Sequence, residues 1–444
     1  MRTAFLIATL ATALLAPIAA AQDPAAAAAV ARAAFRRAAA STRAAAHDSA
    51  YADVRRAHEA WPMQPAYGEA LAVLAAQRHD DTTLTRVLAT LAAEEAGAAV
   101  LEDSAALARA AQVPAVAHAL ATLRAAIAPT GARSREASGA TTGEATERTL
   151  IPDTTFFPEG LDADPRDGTL YVTSLRHRNV LIVPRTGPSR WLLPSALEGR
   201  GAVMGITLDA PHGEAWLTTA VLPHMGRAPG DSLVRSELLR VRIADGTILS
   251  RHLLGDGKGT PGEITRAPNG DLLVSDAVLG RLYRLRAGAS QVEVIASPLL
   301  RSPQGIAVLR GDAVAVVADW SHGLLRWDLR TDSISAIAAP PGVAVLGIDG
   351  LRASDDRLIA VQNGIAPMRV AAITLSADAR RITTVRTLDR AASTPGEMTV
   401  GAIVGDRFVY IASSAWSFWA DDGTRAAGSG PLPAVVVREV PLRR

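Results

Sequence analysis

The chain has 444 residues, a formal net charge of +2 and no cysteine. This length suits two domains rather than one, and without cysteine the fold cannot depend on disulfides, so its stability must come from burial. Lys258 is the only lysine, and the many arginines are scattered without interleaved aromatic residues. This pattern argues against a nucleic-acid partner.

The first 21 residues have the pattern of a Sec-type export signal. Arg2 supplies the positive end, the stretch Ala4–Leu15 an apolar core, and Ala19–Ala21 a cleavage site of small residues. No later segment has the roughly 18 apolar residues that a membrane span needs, and no cysteine follows the cleavage site, which excludes a lipoprotein. The sequence therefore predicts a periplasmic or secreted protein with a signal peptide at residues 1–21 and no membrane span.

Residues 22–128 form a predicted helical domain. Apolar residues recur every three or four positions in Ala66–His79 and again in Leu84–Glu95, with a polar turn between them whose Asp or Thr can cap the second helix. Pro114 begins a further amphipathic helix. The hairpin resembles a tetratricopeptide-type repeat, which implies a possible protein partner for this domain. A helical bundle without a repeat function is the alternative.

The sequence changes character after this domain. Residues 129–149 are rich in Ser, Thr and Gly and predict a flexible linker. From residue 150 to residue 444, β-branched strands alternate with Gly, Asp and Asn turns. Five segments repeat a small loop with a Gly and an aliphatic residue, a turn and a strand, and a sixth repeats it more loosely. They begin at Pro158, Val203, Gly262, Pro303, Ile348 and Thr399.

The spacing of these starts, roughly 40 to 60 residues, is typical of propeller blades. The predicted fold is thus a multidomain α + β chain, with a tetratricopeptide-like helical domain followed by an all-β six-bladed propeller. The segment Leu432–Leu442 is predicted to complete a blade and close the ring.

Matching positions of the six repeats should converge at the mouth of the ring, because the loop that enters each innermost strand faces the axis. One residue of each repeat occupies this position: Glu159, Met204, Gly262, Gln304, Asp349 and Val400. Two carboxylates and an amide oxygen around one point favour a hard divalent cation, namely Ca²⁺, Mg²⁺ or Mn²⁺. Glu263 and Glu397 could add further acidity. The alternative is that Glu159 and Asp349 cap turns through backbone N–H groups.

The segments FPEGLDADPRDGTLYVTS, SPQGIAV and GIDGLRASDDRLIAV resemble the gluconolactonase, regucalcin and luciferin-regenerating-enzyme family of six-bladed propellers over roughly residues 150 to 442. The resemblance implies one divalent cation held by Glu159, Gln304 and Asp349, with Gln304 standing where the family has Asn. The family's substrate-side Asn falls at Gly262 or Glu263, where the amide is missing.

With a cation present, the resemblance implies a hydrolase of lactones or related esters, acting on a small molecule at the propeller mouth. Asp349 is then the candidate general base, because a carboxylate beside the metal can take the proton of a bound water. Substrate contacts are expected from Glu263, Arg301, His322 and Glu397. Structural roles for Arg301 and His322 are the alternative.

Two further interpretations stay open. An NHL-type propeller with the same repeat texture would be a non-catalytic module that binds a ligand or a protein. Another propeller chemistry, such as epimerisation or a strictosidine-synthase-like condensation, is also compatible. The aromatic segment Ala415–Gly423 either lines a ligand-facing loop or covers the base of the ring.

Overall fold

The computed structural model describes residues 24–129, 145–195, 199–226, 231, 234–311, 313–390 and 396–442. The predicted signal peptide and residues 130–144 of the predicted linker lie outside the described residues. Within these ranges no helix combines the length and the apolar character needed to cross a bilayer.

The N-terminal part of the described chain contains seven α-helices. They are α1 (Pro24–Arg43), α2 (His47–Ala60), α3 (Pro65–Gln77), α4 (Asp81–Ala93), α5 (Ala98–Glu102), α6 (Ser104–Ala110) and α7 (Pro114–Ile127). The hairpin expected from the apolar spacing is formed by α3 and α4. The side chain of Asp80 caps α4 by accepting a hydrogen bond from the backbone N–H of Thr83 at 3.0 Å.

The rest of the described chain contains six four-stranded antiparallel sheets, which are the blades of the predicted propeller. Blade 1 has β2 (Pro158–Ala163), β3 (Leu170–Ser174), β4 (Asn179–Val183) and β5 (Arg190–Trp191). Blade 2 has β6 (Ala202–Asp209), β7 (Glu214–Ala220), β8 (Glu237–Arg242) and β9 (Ile248–Leu253). Blade 3 has β10 (Pro261–Arg266), β11 (Leu272–Asp276), β12 (Arg281–Leu285) and β13 (Val292–Ala296).

Blades 4 to 6 follow the same meander, with one exception in the last blade. Blade 4 has β14 (Pro303–Val308), β15 (Val314–Asp319), β16 (Gly323–Asp328) and β17 (Ile334–Ala336). Blade 5 has β18 (Ile348–Ser354), β19 (Arg357–Gln362), β20 (Arg369–Leu375) and β21 (Ile382–Arg390). Blade 6 has β22 (Gly401–Val404), β23 (Arg407–Ile411), β24 (Val435–Pro441) and, as its outermost strand, β1 (Thr146–Ile151).

The ring closes where the two ends of the propeller segment share blade 6. β1 pairs antiparallel with β24, from Thr146 opposite Glu439 to Ile151 opposite Val435. Pairing a strand from the start of the ring with strands from its end joins the last blade to the first without an open edge between them. β24 falls within the segment expected to complete a blade, and β1 begins inside the range that the sequence assigns to the linker. The predicted fold class is confirmed.

A β-bulge marks the start of the innermost strand in blades 1 to 5. In blade 1, the register between β2 and β3 shifts between Pro158 and Leu161, and the other four blades shift at the matching place. A bulge inserts one extra residue and re-aims a side chain. In these strands it lies at the position that the sequence assigns to the mouth, so it directs one residue of each blade towards the axis.

Glycines at these bulges allow neighbouring blades to approach closely, and one pair of glycines tests this directly. A Cβ on Gly205 would lie 2.3 Å from the carbonyl oxygen of Gly262 in the next blade. A Cβ on Gly262 itself would meet no heavy atom within 4 Å.

We expect Gly205→Ala to lower the free energy of unfolding by about 2–4 kcal/mol, and Gly262→Ala to change it by less than about 0.5 kcal/mol. Urea denaturation of both variants checks this, and equal losses would contradict the packing role of the bulge.

Candidate active site

Residues from the fourth and fifth blades and from the loop before the innermost strand of the sixth meet in one cavity at the mouth of the ring. Gln304 from β14 and Asp349 from β18 line this cavity of about 790 Å³, together with Glu397 from the loop before β22. Glu159 from β2 lies close enough to Asp349 for its charge to raise the pKa of the Asp349 carboxyl. Of the residues expected to converge, Gln304 and Asp349 thus line one cavity, and Glu159 lies near Asp349.

Glu159 is held by the aromatic loop of the last blade. The indole Nε1 of Trp416 donates a hydrogen bond to its Oε2 at 2.7 Å. The Trp416 ring packs edge-on against Phe157, with ring centroids 4.9 Å apart, and against His224 at 5.1 Å. Of the two roles left open for the segment Ala415–Gly423, its first tryptophan thus takes the one at the mouth.

Asp349 is oriented by an amide that the sequence did not single out. The side-chain nitrogen of Asn363, in the loop after β19, donates to Oδ2 of Asp349 at 2.8 Å and to the carbonyl of Met398 at 3.0 Å. The oxygen of the same amide accepts a hydrogen bond from the indole of Trp320 at 3.1 Å. Because both ends of the amide are engaged, Asn363 fixes the direction of the Asp349 carboxylate.

Burial and neighbouring carboxylates disfavour the ionisation of both Asp349 and Glu159. Burial, followed by the charges of Glu159 and Glu263, raises the pKa of Asp349 well above its usual range. Burial, followed by the charges of Glu263 and Glu397, raises the pKa of Glu159, although the Trp416 hydrogen bond opposes this. Burial also raises the pKa of Glu397. Like charges held in a region of low dielectric repel strongly, and a cation or a shared proton relieves that repulsion.

Glu263 differs from the other acids because it has a counter-ion. Arg352 of β18 contacts it through two nitrogens, at 2.5 Å and 3.1 Å from the two carboxylate oxygens. Its position in the repeat is also unusual, since the matching residue in each of the other five blades is a glycine. The ion pair leaves Glu263 with less capacity to bind a cation than Glu159 or Asp349.

The two remaining residues predicted to contact substrate lie apart from this cavity. Arg301 is exposed, and its backbone N–H donates to Oδ2 of Asp319 at 2.7 Å. His322 is 5% exposed; its Nδ1 lies 2.7 Å from the carbonyl oxygen of Leu299, and its Nε2 lies 3.2 Å from a guanidinium nitrogen of Arg32 in α1. His322 thus contacts the helical domain, whereas Gln304 and Glu397 line the cavity.

The helical domain covers the mouth of the propeller, which the sequence did not predict. The backbone N–H groups of Gly97 and Ala98 donate to the carbonyl of Ala366, in the loop between β19 and β20, at 2.9 Å and 3.0 Å. Glu69 of α3 and Glu102 of α5 line the same cavity as Asp349. The cavity therefore lies between the two domains and is lined by residues of both.

The carboxylate of Glu95 links the helical domain to blade 5. Oε2 of Glu95, just after α4, lies 3.3 Å from Arg369 of β20 and accepts hydrogen bonds from Arg390 and from the Thr387 hydroxyl of β21. The side chains of Arg369 and Arg390 are only 3% and 2% exposed. A buried ion-pair network of this kind requires both domains to be present.

The buried carboxyl of Glu94, next to Glu95 in sequence, is expected to make the stability of the protein depend on pH. The residue is 3% exposed, and burial raises the pKa of its carboxyl to about 8, with a smaller opposing effect of Arg369. Because the folded pKa lies above the unfolded one, the parent protein loses stability as pH rises from about 4.5 to about 8, by up to about 5 kcal/mol.

Glu94→Gln should remove that loss. We expect a higher Tm than the parent at pH 8 and little difference at pH 5, with exposed Glu59→Gln as the matched control. Thermal unfolding across this pH range checks the prediction. A variant with the same pH profile as the parent would contradict it.

The residues at the mouth were tested for their fit to a divalent cation. Within the described chain, no group of three His, Cys, Asp or Glu side chains is arranged to hold a metal ion. The possible metal ligands are instead carboxylate oxygens together with an amide oxygen. Glu159 and Asp349 each have one carboxylate oxygen with no hydrogen-bond partner among the described residues, and the Gln304 amide likewise has none there. Two carboxylates and one amide oxygen are ligands that Ca²⁺, Mg²⁺ and Mn²⁺ accept, so the donor chemistry fits.

Together these features define a six-bladed propeller whose acidic axial cavity is covered by a helical domain. No family model matches the sequence, and neither does any curated protein. Similar solved structures include virginiamycin B lyase from Staphylococcus aureus, at 12% identity and a TM-score of 0.46 over 67% of this chain and 99% of the lyase.

Two members of the group that the sequence resembles are also similar in structure. Luciferin-regenerating enzyme has 16% identity and a TM-score of 0.45, over 66% of this chain and 95% of the enzyme. The gluconolactonase XC5397 from Xanthomonas campestris has 15% identity and a TM-score of 0.43, over 68% of this chain and 96% of that protein. These likenesses assign no role to any residue of this chain.

Proposed function

We propose that the axial cavity is the active site of a divalent-cation-dependent hydrolase of small lactones or related esters. The observation that carries the proposal is the proximity of Glu159 and Asp349 at the propeller mouth, where the charge of Glu159 raises the pKa of the Asp349 carboxyl. Paired carboxylates with strongly perturbed pKa values are typical of active sites. A cavity of about 790 Å³ between the two domains suits a small molecule.

Glu159, Gln304 and Asp349 would hold the cation. When bound, the cation would polarise the substrate carbonyl and lower the pKa of a water molecule. Trp416 orients Glu159 through its 2.7 Å hydrogen bond, and Asn363 orients Asp349 through its 2.8 Å hydrogen bond. Both carboxylates are therefore held in place before a ligand binds, which reduces the cost of organising the site.

Asp349 is the proposed general base. A carboxylate whose pKa is raised accepts a proton from an attacking water more readily than an ordinary aspartate, and it can return that proton to the leaving alcohol. The Asn363 amide keeps Oδ2 engaged, so the other oxygen of Asp349 is the one available for proton transfer. Glu397, which also lines the cavity, is proposed to contact the polar groups of the substrate.

The second candidate is a binding module without turnover. It is favoured by blade 3, where the resemblance implies a substrate-side Asn but Glu263 stands in an ion pair with Arg352. Export remains a prediction from residues 1–21, which lie outside the described residues, and a protein partner for the helical domain remains a proposal.

Hydrolysis of a panel of small lactones and esters separates the two candidates. The purified protein is stripped with a chelator and then assayed with Ca²⁺, Mg²⁺ or Mn²⁺ added singly. We expect turnover of at least one lactone that is lost on stripping and restored by one of the ions. Cation binding with no turnover across the panel would contradict the hydrolase and support the binding module.

A further inference from the structure

The cavity at the propeller mouth is strongly asymmetric in charge. Four of the residues that line it carry carboxylates, two from the propeller and two from the helical domain: Asp349, Glu397, Glu69 and Glu102. No Arg, Lys or His is among the described residues that line it. Even with one divalent cation at the Glu159 and Asp349 end, the helical side of the cavity keeps two acidic residues without a basic neighbour in the lining.

Glu69, which lines the helical side of this cavity, has an unsatisfied carboxylate oxygen. Its Oε1 atom is buried and has no hydrogen-bond partner among the described residues. Burial and the nearby carboxylate of Glu102 raise the pKa of Glu69, although a backbone N–H of Ala99 opposes this. A buried polar atom without a partner costs about 1–3 kcal/mol. Nothing in the helical domain supplies a counter-ion for it within the cavity lining.

An aromatic side chain of the propeller also lines the cavity. Trp320, just after β15, is 37% exposed although it is a large apolar side chain, and it lines the cavity. Its indole nitrogen is fixed by Asn363, so the ring is held in one orientation. A fixed indole face beside carboxylates is the arrangement that proteins use to bind organic cations, because the ring quadrupole and the anionic charges act together.

We propose that the substrate of this site carries an organic cation, an amine or a quaternary ammonium, which Glu69, Glu102 and Trp320 recognise. This inference rests on the proposed function for the reacting group and adds the chemical class of the rest of the substrate. It also gives the helical domain a role in specificity, since it supplies both glutamates. An anionic substrate would be repelled by the same carboxylates.

A pair of isosteric probes tests the charge preference without any turnover. Choline and 3,3-dimethylbutan-1-ol have the same shape and differ in the positive charge. Isothermal titration calorimetry at mildly alkaline pH measures the binding of each to the full-length protein. We expect choline to bind at least about tenfold more tightly than the alcohol.

Variants assign the preference to the helical side of the cavity. Glu69→Gln with Glu102→Gln should bring the ratio of the two affinities close to one, whereas exposed Glu59→Gln on α2 should leave it unchanged. Glu102→Gln alone, on an exposed residue, should reduce the ratio even if the buried change at Glu69 disturbs folding.

Binding of neither probe, equal binding of both, or a preference that survives in the double variant would overturn the inference. Its failure is distinct from that of the hydrolase. Hydrolysis of neutral lactones without a charge preference would overturn this inference alone, and a charge preference without turnover would overturn the hydrolase alone.

Discussion

Replacing Asp349 by Asn is expected to lower kcat/KM for any hydrolysed lactone by about 1,000-fold or more, because the change removes the proposed base and one cation ligand. The Asn363 hydrogen bond keeps the side chain in place, so the loss is one of chemistry rather than of folding. The same change also removes a carboxylate that lies beside Glu159, Glu263 and Glu397. We therefore expect the Tm of the metal-free variant to equal or exceed that of the parent.

The matched control is Asp256→Asn in an exposed loop of the ring, which should keep both Tm and activity. Steady-state kinetics and thermal unfolding of the two variants measure these outcomes. Activity retained within about tenfold in Asp349→Asn would contradict its role as base. A variant that loses activity only because it unfolds would show a large fall in Tm, which is the opposite of the expected result.

Replacing Glu95 by Gln is expected to lower the free energy of unfolding by about 3 kcal/mol or more, because Arg369 and Arg390 lose the carboxylate that they share. The same change weakens the attachment of the helical domain to blade 5, and the cavity at the mouth should become more accessible. Denaturant unfolding measures the first effect and limited proteolysis of residues 94–98 the second.

Glu59→Gln, on the outer face of the helical domain, is the control and should have almost no effect because its ion pair with Arg55 is exposed. A loss below about 1 kcal/mol in Glu95→Gln would mean that other contacts hold the domains together. In that case the enclosure of the cavity would not depend on this network.

The repeated part of the fold could be predicted from the sequence because each blade repeats a local pattern. The bulge with its small loop recurs at fixed spacing, so aligning the repeats was sufficient to bring Glu159, Gln304 and Asp349 to one place. The Asp80 cap and the start of α7 at Pro114 also follow from neighbours in sequence. These features depend on interactions over a few residues or on the symmetry of the ring.

The partners of the site residues could not be predicted because they come from outside the repeat. Glu263 and Arg352 are 89 positions apart in the sequence, and Trp416 and Glu159 are 257 positions apart. In blade 3 the acid follows the glycine, at Gly262 and Glu263, whereas in blades 1 and 5 it precedes the glycine. This reversed order was the one local sign that Glu263 differs from the other acids.

The cover over the mouth was missed for a similar reason. The contacts of Glu95 with Arg369 and Arg390 join two domains that differ in pattern and are separated by a segment outside the described residues. His322 was considered for substrate binding because of its proximity in sequence to Gln304, yet its ring contacts Arg32 of α1. Sequence proximity in a propeller does not decide whether a side chain lines the cavity or packs against the helical domain.

Titration of the chelator-treated protein with Mn²⁺, followed by electron paramagnetic resonance, tests most directly whether Glu159 and Asp349 share a cation. The parent protein should bind one Mn²⁺, which Ca²⁺ or Mg²⁺ in excess displaces, and the Glu159→Gln/Asp349→Asn variant should bind it at least about 100-fold more weakly. A parent protein that binds no Mn²⁺, or a double variant that binds it as tightly as the parent, would contradict the account.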